Sequence, residues 1–78
     1  MKIHVTYFGK LADVTGTKRE EFELDEGRLV SDLLHEIEST YPMEQAPYAV
    51  SVNHRIVESS HSLVSNSEVA LLPPFSGG

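Results

Sequence analysis

Seventy-eight residues suffice for one small domain and exclude a second, since domains mostly run about 100–150 residues and chains below about 70–80 struggle to build a core. Apolar residues at 40% and charged residues at 23% describe an ordinary folded chain and fit neither a disordered tail nor a coiled-coil rod. Six Lys and Arg against twelve Asp and Glu leave a net charge of −6, the wrong sign for gripping phosphates or anionic lipid, so neither nucleic acid nor a membrane surface is expected as a partner.

Ile3, Val5 and Tyr7 alternate with His4, Thr6 and Phe8, a period of two that predicts a half-buried strand over residues 2–8. Gly9 interrupts it, Lys10 to Val14 can form one helical turn, and Thr15-Gly16-Thr17 reverses the chain. In residues 20–25, Phe22 and Leu24 share one face and Glu21, Glu23 and Asp25 the other, the pattern of an edge strand with a solvated acidic side. Val30, Leu33, Leu34, Ile37 and Tyr41 form the stripe of an amphipathic helix that starts between residues 29 and 32 and ends near 40. Tyr41-Pro42 is a clear stop, whereas Leu29 is a poor cap and leaves Ser31 as the alternative. Met43 to Pro47 reads as a loop, Ala49 to Val52 as a strand, Asn53-His54 as a hairpin turn and Arg55 to Val57 as a short return strand. Glu58 to Ser67 is polar and Ser-rich with Leu63 as its anchor; Glu68 to Leu72 is the last strand before Pro73-Pro74 ends pairing. One helix with one apolar stripe must bury it on a sheet, so the expected class is α+β with the helix on one face of four to five strands.

Little of the chain offers chemistry of its own. With no cysteine there is no disulfide, thiolate metal site or thiol nucleophile, and stability rests on packing. His4, His35, His54 and His61 are too scattered for a local metal-ligand spacing and read as surface residues, so no metal is expected. Glu20, Glu21, Glu23 and Glu26 have no apolar wall in view to raise a pKa and read as a solvated face. The serines lack a Gly-x-Ser-x-Gly elbow and the glycines a phosphate-binding fingerprint. No apolar run approaches the roughly 18–20 residues of a membrane span, and Met1 to Val5 lacks a signal-peptide core, so a cytoplasmic location is expected.

The C-terminal run Val69-Ala70-Leu71-Leu72-Pro73-Pro74-Phe75-Ser76-Gly77-Gly78 is different. Two prolines stiffen the chain directly after a strand, and two glycines make the tip as thin as a polypeptide can be. A stiff base with a slim tip suits insertion into a narrow pocket, where the carboxylate of Gly78 would meet no side-chain obstruction.

This ending, together with Tyr7-Phe8-Gly9-Lys10-Leu11-Ala12-Asp13-Val14-Thr15-Gly16, the helix over Val30 to Ile37 and the Val52-Asn53 turn, resembles the MoaD family, ubiquitin-like sulfur carriers that are the small subunits of molybdopterin synthase. The resemblance spans essentially the whole chain and implies a β-grasp fold: a single ubiquitin-like domain over residues 1–78 with an extended tail over 73–78. Two positions depart from the family pattern. Ser65-Asn66-Ser67 stands where Asp-Gly-Asp is usual, although Asn66 can still supply a left-handed turn residue, and Leu29 replaces the usual capping hydroxyl.

By this resemblance an ATP-dependent adenylating enzyme similar to MoeB activates the carboxyl of Gly78, and a sulfur donor converts it to a thiocarboxylate. The tail then enters a large subunit similar to MoaE and gives its sulfur to the pterin precursor of the molybdenum cofactor. The carrier is on this reading a co-substrate and non-catalytic subunit that binds no cofactor, with ATP used by the activating enzyme. Partners are expected to hold Pro73, Pro74, Phe75, Ser76 and Gly77, together with an apolar patch of Phe8, Ile56 and Leu72 that strand parity turns away from the helix if Ile3, Val5, Val57, Val69 and Leu71 point toward it. Two alternatives share the same ending: a sulfur carrier for thiamine, cysteine or tRNA thiolation, and a ubiquitin-like modifier joined to lysines.

Overall fold

In the computed structural model, which describes residues 1–74, the strands are β1 (Lys2–Tyr7), β2 (Arg19–Glu23), β3 (Ala49–Val52), β4 (Arg55–Ile56) and β5 (Glu68–Leu72), and the helices are α1 (Lys10–Thr15) and α2 (Val30–Thr40). A turn of 3-10 helix, Met43–Gln45, follows α2. The five strands form one mixed sheet in the order β2-β1-β5-β3-β4. β1 and β5 lie parallel at its centre, and every other pairing is antiparallel. This is the β-grasp arrangement, with one main helix packed on one face. No helix among the described residues is long and apolar enough to cross a membrane.

Alternation decides what β1 and β5 bury. Ile3, Val5 and Tyr7 from β1 and Val69 and Leu71 from β5 point to the core, joined from α2 by Val30, Leu33 and Ile37. All eight are at most 2% exposed, so the expected inward sets of these elements meet as one cluster. Leu34 and Tyr41, placed on the same helical stripe, sit at its margin and are only partly buried. The stripe is therefore narrower than the spacing implied.

Four local expectations change in the structure. β2 ends at Glu23, so Leu24 is buried from the loop beyond it. Val57 lies just past β4, yet its N–H still donates to the Val50 carbonyl at 3.0 Å and its side chain packs on the core. The segment after α2 is more than a loop, because Met43 and Ala46 are buried and close the core below the helix. Glu20 does not belong to the solvated acidic side. It pairs with Val5 across the sheet, which turns it inward to accept hydrogen bonds from Tyr7 at 2.7 Å and Tyr41 at 2.9 Å.

The helix start resolves the missing cap. Leu29 is the capping position and has no side-chain acceptor, so a distant loop satisfies the first amides: Val30 N–H donates to the His61 carbonyl at 2.9 Å and Ser31 N–H to that of Ser59 at 2.8 Å. Leu29 N–H itself donates to Asp32 Oδ2 at 2.7 Å. The orphan donors of a helix N-terminus are thus paired without a capping hydroxyl, and the Ser-rich segment, expected only to turn, is the cap.

Candidate functional site: the outer sheet face and the tail root

The parallel pairing of β1 with β5 places Tyr7 beside Leu71 and is continued by a hydrogen bond from Phe8 N–H to the Leu71 carbonyl at 3.1 Å. Side chains alternate along each strand, so Phe8 and Leu72, one residue beyond that inward pair, both stand on the face away from α2. Phe8 is 46% exposed and Ile56 64%; Leu72 is half-buried. Val57 is tucked inward, which gives Ile56 its outward direction as the parity argument required.

Phe8 and Ile56 do not touch. Ile56 pairs with Ser51, Ser51 with Ala70, and Ala70 with Thr6, so three strand spacings, about 14–15 Å, separate β4 from β1. A shallow groove floored by small residues fills that interval, lined by Thr6, Phe8, Ser51, His54, Glu68 and Ala70. The structure thus brings Phe8 and Leu72 together, and sets Ile56 across a groove from them. The groove has Phe8 as its apolar wall on one side and Ser51 and His54 on the other, with Ile56 beyond them, and a shallow groove of this kind can take a partner's protruding side chain.

Polar groups rim the face. Arg19 donates to Thr6 Oγ1 and to Glu68 Oε2, each at 3.1 Å. The bond from Arg19 holds the Glu68 carboxyl below the usual carboxylate range, and the same bond raises Arg19. His4 Nδ1 lies 3.1 Å from Glu21. The turn at the end of β3 has both central residues left-handed, with Asn53 at φ 49° and His54 at φ 72°. Asn53 is the residue type expected there, and its Oδ1 accepts from Glu68 N–H at 3.0 Å, tying the hairpin to the start of β5. Asn66 at φ 67° likewise supplies the left-handed turn.

Pro73 and Pro74 leave the end of β5 exposed, while Phe75, Ser76, Gly77 and Gly78 lie outside the described residues. The root of the tail has a neighbour that sequence reasoning passed over as a strand breaker. Gly9 adopts φ +57°, and a Cβ built on it would stand 3.0 Å from Cγ of Pro73. Leu63 is buried, as expected of the segment's anchor, and its neighbour Val64, 63% exposed, is an outward apolar residue that sequence reasoning did not single out. Among the described residues no group of three or more His, Cys, Asp or Glu is arranged to hold a metal ion.

The pattern of the ThiS family matches residues 5–78. A molybdopterin synthase sulfur carrier subunit from Chlamydomonas reinhardtii is 34% identical over 83 aligned residues that cover all of both chains. Among solved structures, a Pyrococcus furiosus protein assigned as molybdopterin converting factor, subunit 1, superposes with a TM-score of 0.87 at 30% identity, covering 96% of this chain and 99% of that one. A chain in the complex of subunits 1 and 2 of the molybdopterin-converting factor from Helicobacter pylori matches over the full length of both with a TM-score of 0.66 and 20% identity, a likeness of fold. The full-length identity and the β-grasp topology agree: the chain belongs to the ThiS family, and within that resemblance to the MoaD sulfur carriers.

Proposed function

We propose that this chain is the sulfur carrier subunit of a molybdopterin synthase and acts in the cytoplasm. An oxygen of the Gly78 carboxylate attacks the α-phosphorus of ATP in an adenylating enzyme similar to MoeB, pyrophosphate leaves, and an acyl adenylate forms. Sulfide-level sulfur from a donor then attacks the acyl carbon, forming the C–S bond as the C–O bond to AMP breaks, and leaves a terminal thiocarboxylate. Adenylation is needed because a free carboxylate is a poor electrophile, whereas the acyl phosphate carries a good leaving group. The loaded tail enters a large subunit similar to MoaE, which supplies the catalytic residues, and passes its sulfur to the pterin precursor. ATP is consumed by the activating enzyme, and the carrier holds no cofactor.

The observation that carries this reading is the full-length identity to a molybdopterin synthase sulfur carrier subunit in a chain that ends Pro73-Pro74-Phe75-Ser76-Gly77-Gly78. The geometry supports it. β5 lies in the middle of the sheet, paired on both sides, and leads directly into Pro73, so the tail starts from a strand held along both edges. Phe8, Leu72 and Ile56 lie on the face beside that exit, where the activating enzyme and the large subunit can grip the domain while the tail is inserted.

Reconstitution tests the proposal. Thiocarboxylated chain mixed with the large subunit and pterin precursor is expected to yield molybdopterin, and the carboxylate form is expected to yield none. Loaded chain that gives no molybdopterin with a competent large subunit, yet supports thiazole formation or tRNA thiolation, would move the protein to another sulfur pathway.

A further inference from the structure

We infer that Gly9 is a positioning residue for sulfur loading, a role that rests on the carrier reading and deepens it. Two independent features meet at this position. Gly9 has φ +57°, a conformation glycine adopts freely and L side chains resist. The space a side chain would need is also taken, because a Cβ would come within 3.0 Å of Cγ of Pro73. Pro73 is the first residue after β5 and its ring is stiff, so its seat against Gly9 fixes where and in what direction the chain leaves the sheet. The preceding step is fixed as well, by the hydrogen bond from Phe8 N–H to the Leu71 carbonyl at 3.1 Å.

The consequence is a division of labour within one short segment. Phe8 faces a partner, Gly9 seats the tail root, and Leu11 is buried in the core, holding the start of α1 and therefore Gly9 in place. An adenylating site must receive the Gly78 carboxylate in line with ATP, and small misplacements of a reacting group are costly in rate. Gly9→Ala must push Pro73 away or change the local backbone. Displacing Pro73 moves the tail root relative to the docking face, whose own backbone stays tied by the bond from Phe8 N–H to the Leu71 carbonyl. A fault of this kind belongs in kcat rather than in KM.

The experiment is steady-state thiocarboxylate formation with the activating enzyme, ATP and a sulfur source, run on wild type, Gly9→Ala, Pro73→Ala and the double variant. Proton contacts between Gly9 and the Pro73 ring are followed by NMR in wild type, and denaturation midpoints are followed in all four. Gly9→Ala is expected to lower kcat by about 10- to 100-fold with KM for the carrier within about twofold, and the double variant to lose less than the product of the two single losses, because Pro73→Ala removes the atom the new methyl meets. Wild-type turnover beside an unimpaired Gly9→Ala, a loss confined to KM, or fully multiplicative losses would each overturn the role of Gly9. If Gly9→Ala fails to fold, the kcat of Pro73→Ala decides: a lowered kcat supports the seat, KM being free to move because partners also hold Pro73, and an unchanged kcat overturns it. A wild type that never gains sulfur fails the carrier reading itself, an outcome distinct from all of these, and takes this role with it.

Discussion

Glu20 accepts hydrogen bonds from the hydroxyls of Tyr7 and Tyr41, whose rings meet edge to face at 6.2 Å. One carboxylate thereby joins β1, β2 and the end of α2. Glu20→Ala would leave the hydroxyl of the nearly fully buried Tyr7 unpaired, and is expected to cost about 1–3 kcal/mol by urea denaturation; Glu20→Gln, which keeps an acceptor, should cost less. The tyrosines also set an alkaline limit. Burial raises Tyr7 above the ordinary 10.0, the hydrogen bond to Glu20 raises Tyr41, and burial, with help from Glu38, pushes Tyr48 up to about 12. The folded chain holds phenolic protons that the unfolded chain releases near pH 10.0. That contribution is complete below pH 10.0 and is lost as pH rises through the folded values, so stability falls from there upward. Phenolate absorbance should appear together with loss of helical circular dichroism; ionisation of all three tyrosines with the fold intact would contradict the assignment.

At the scale of elements, α2 is where burial sorts residues that spacing alone placed together. Leu33→Ala and Ile37→Ala are each expected to cost about 2–5 kcal/mol, and Leu34→Ala distinctly less because Leu34 lies at the core margin; equal midpoints for Leu34 and Ile37 variants would contradict the packing. Asp32→Ala removes the acceptor of Leu29 N–H and should cost about 1 kcal/mol. The stripe of α2 and the alternation of β1 and β5 were legible because periodicity is a local property of the chain. The cap was not, since the acceptors for Val30 and Ser31 are backbone carbonyls of Ser59 and His61, which no side-chain pattern reports. Glu20 was misread for a related reason: a carboxylate on an acidic run looks solvated until two tyrosines remote in sequence are brought onto it. Ser67, read as part of a polar turn, is buried with its hydroxyl bonded to the Val64 carbonyl. On the candidate site, parity foresaw the outward faces of Phe8 and Ile56, but the groove between them and the contact of Gly9 with Pro73 exist only once the strand order is known.

At the scale of the whole molecule, the end of central strand β5 lies beside the exposed Phe8 and the half-buried Leu72, the face proposed to meet partners. Phe8→Ala and Ile56→Ala remove exposed side chains, so denaturation midpoints should stay near wild type while calorimetric affinity for the large subunit or the activating enzyme falls by about 1–3 kcal/mol for whichever is a central anchor. A loss of affinity that merely tracks a loss of stability would mean the face is structural. The central claim, that sulfur is carried on the Gly78 carboxyl, is tested most directly by intact mass spectrometry after incubation with the activating enzyme, ATP and a sulfur source. Wild type and a variant with one residue appended after Gly78 are compared. Wild type is expected to gain the mass of one oxygen replaced by sulfur, and the extended chain, verified untrimmed in the same spectrum, to gain nothing. An extended chain that takes up sulfur as wild type does, or a wild type that takes up none beside an enzyme active on another carrier, would contradict the account.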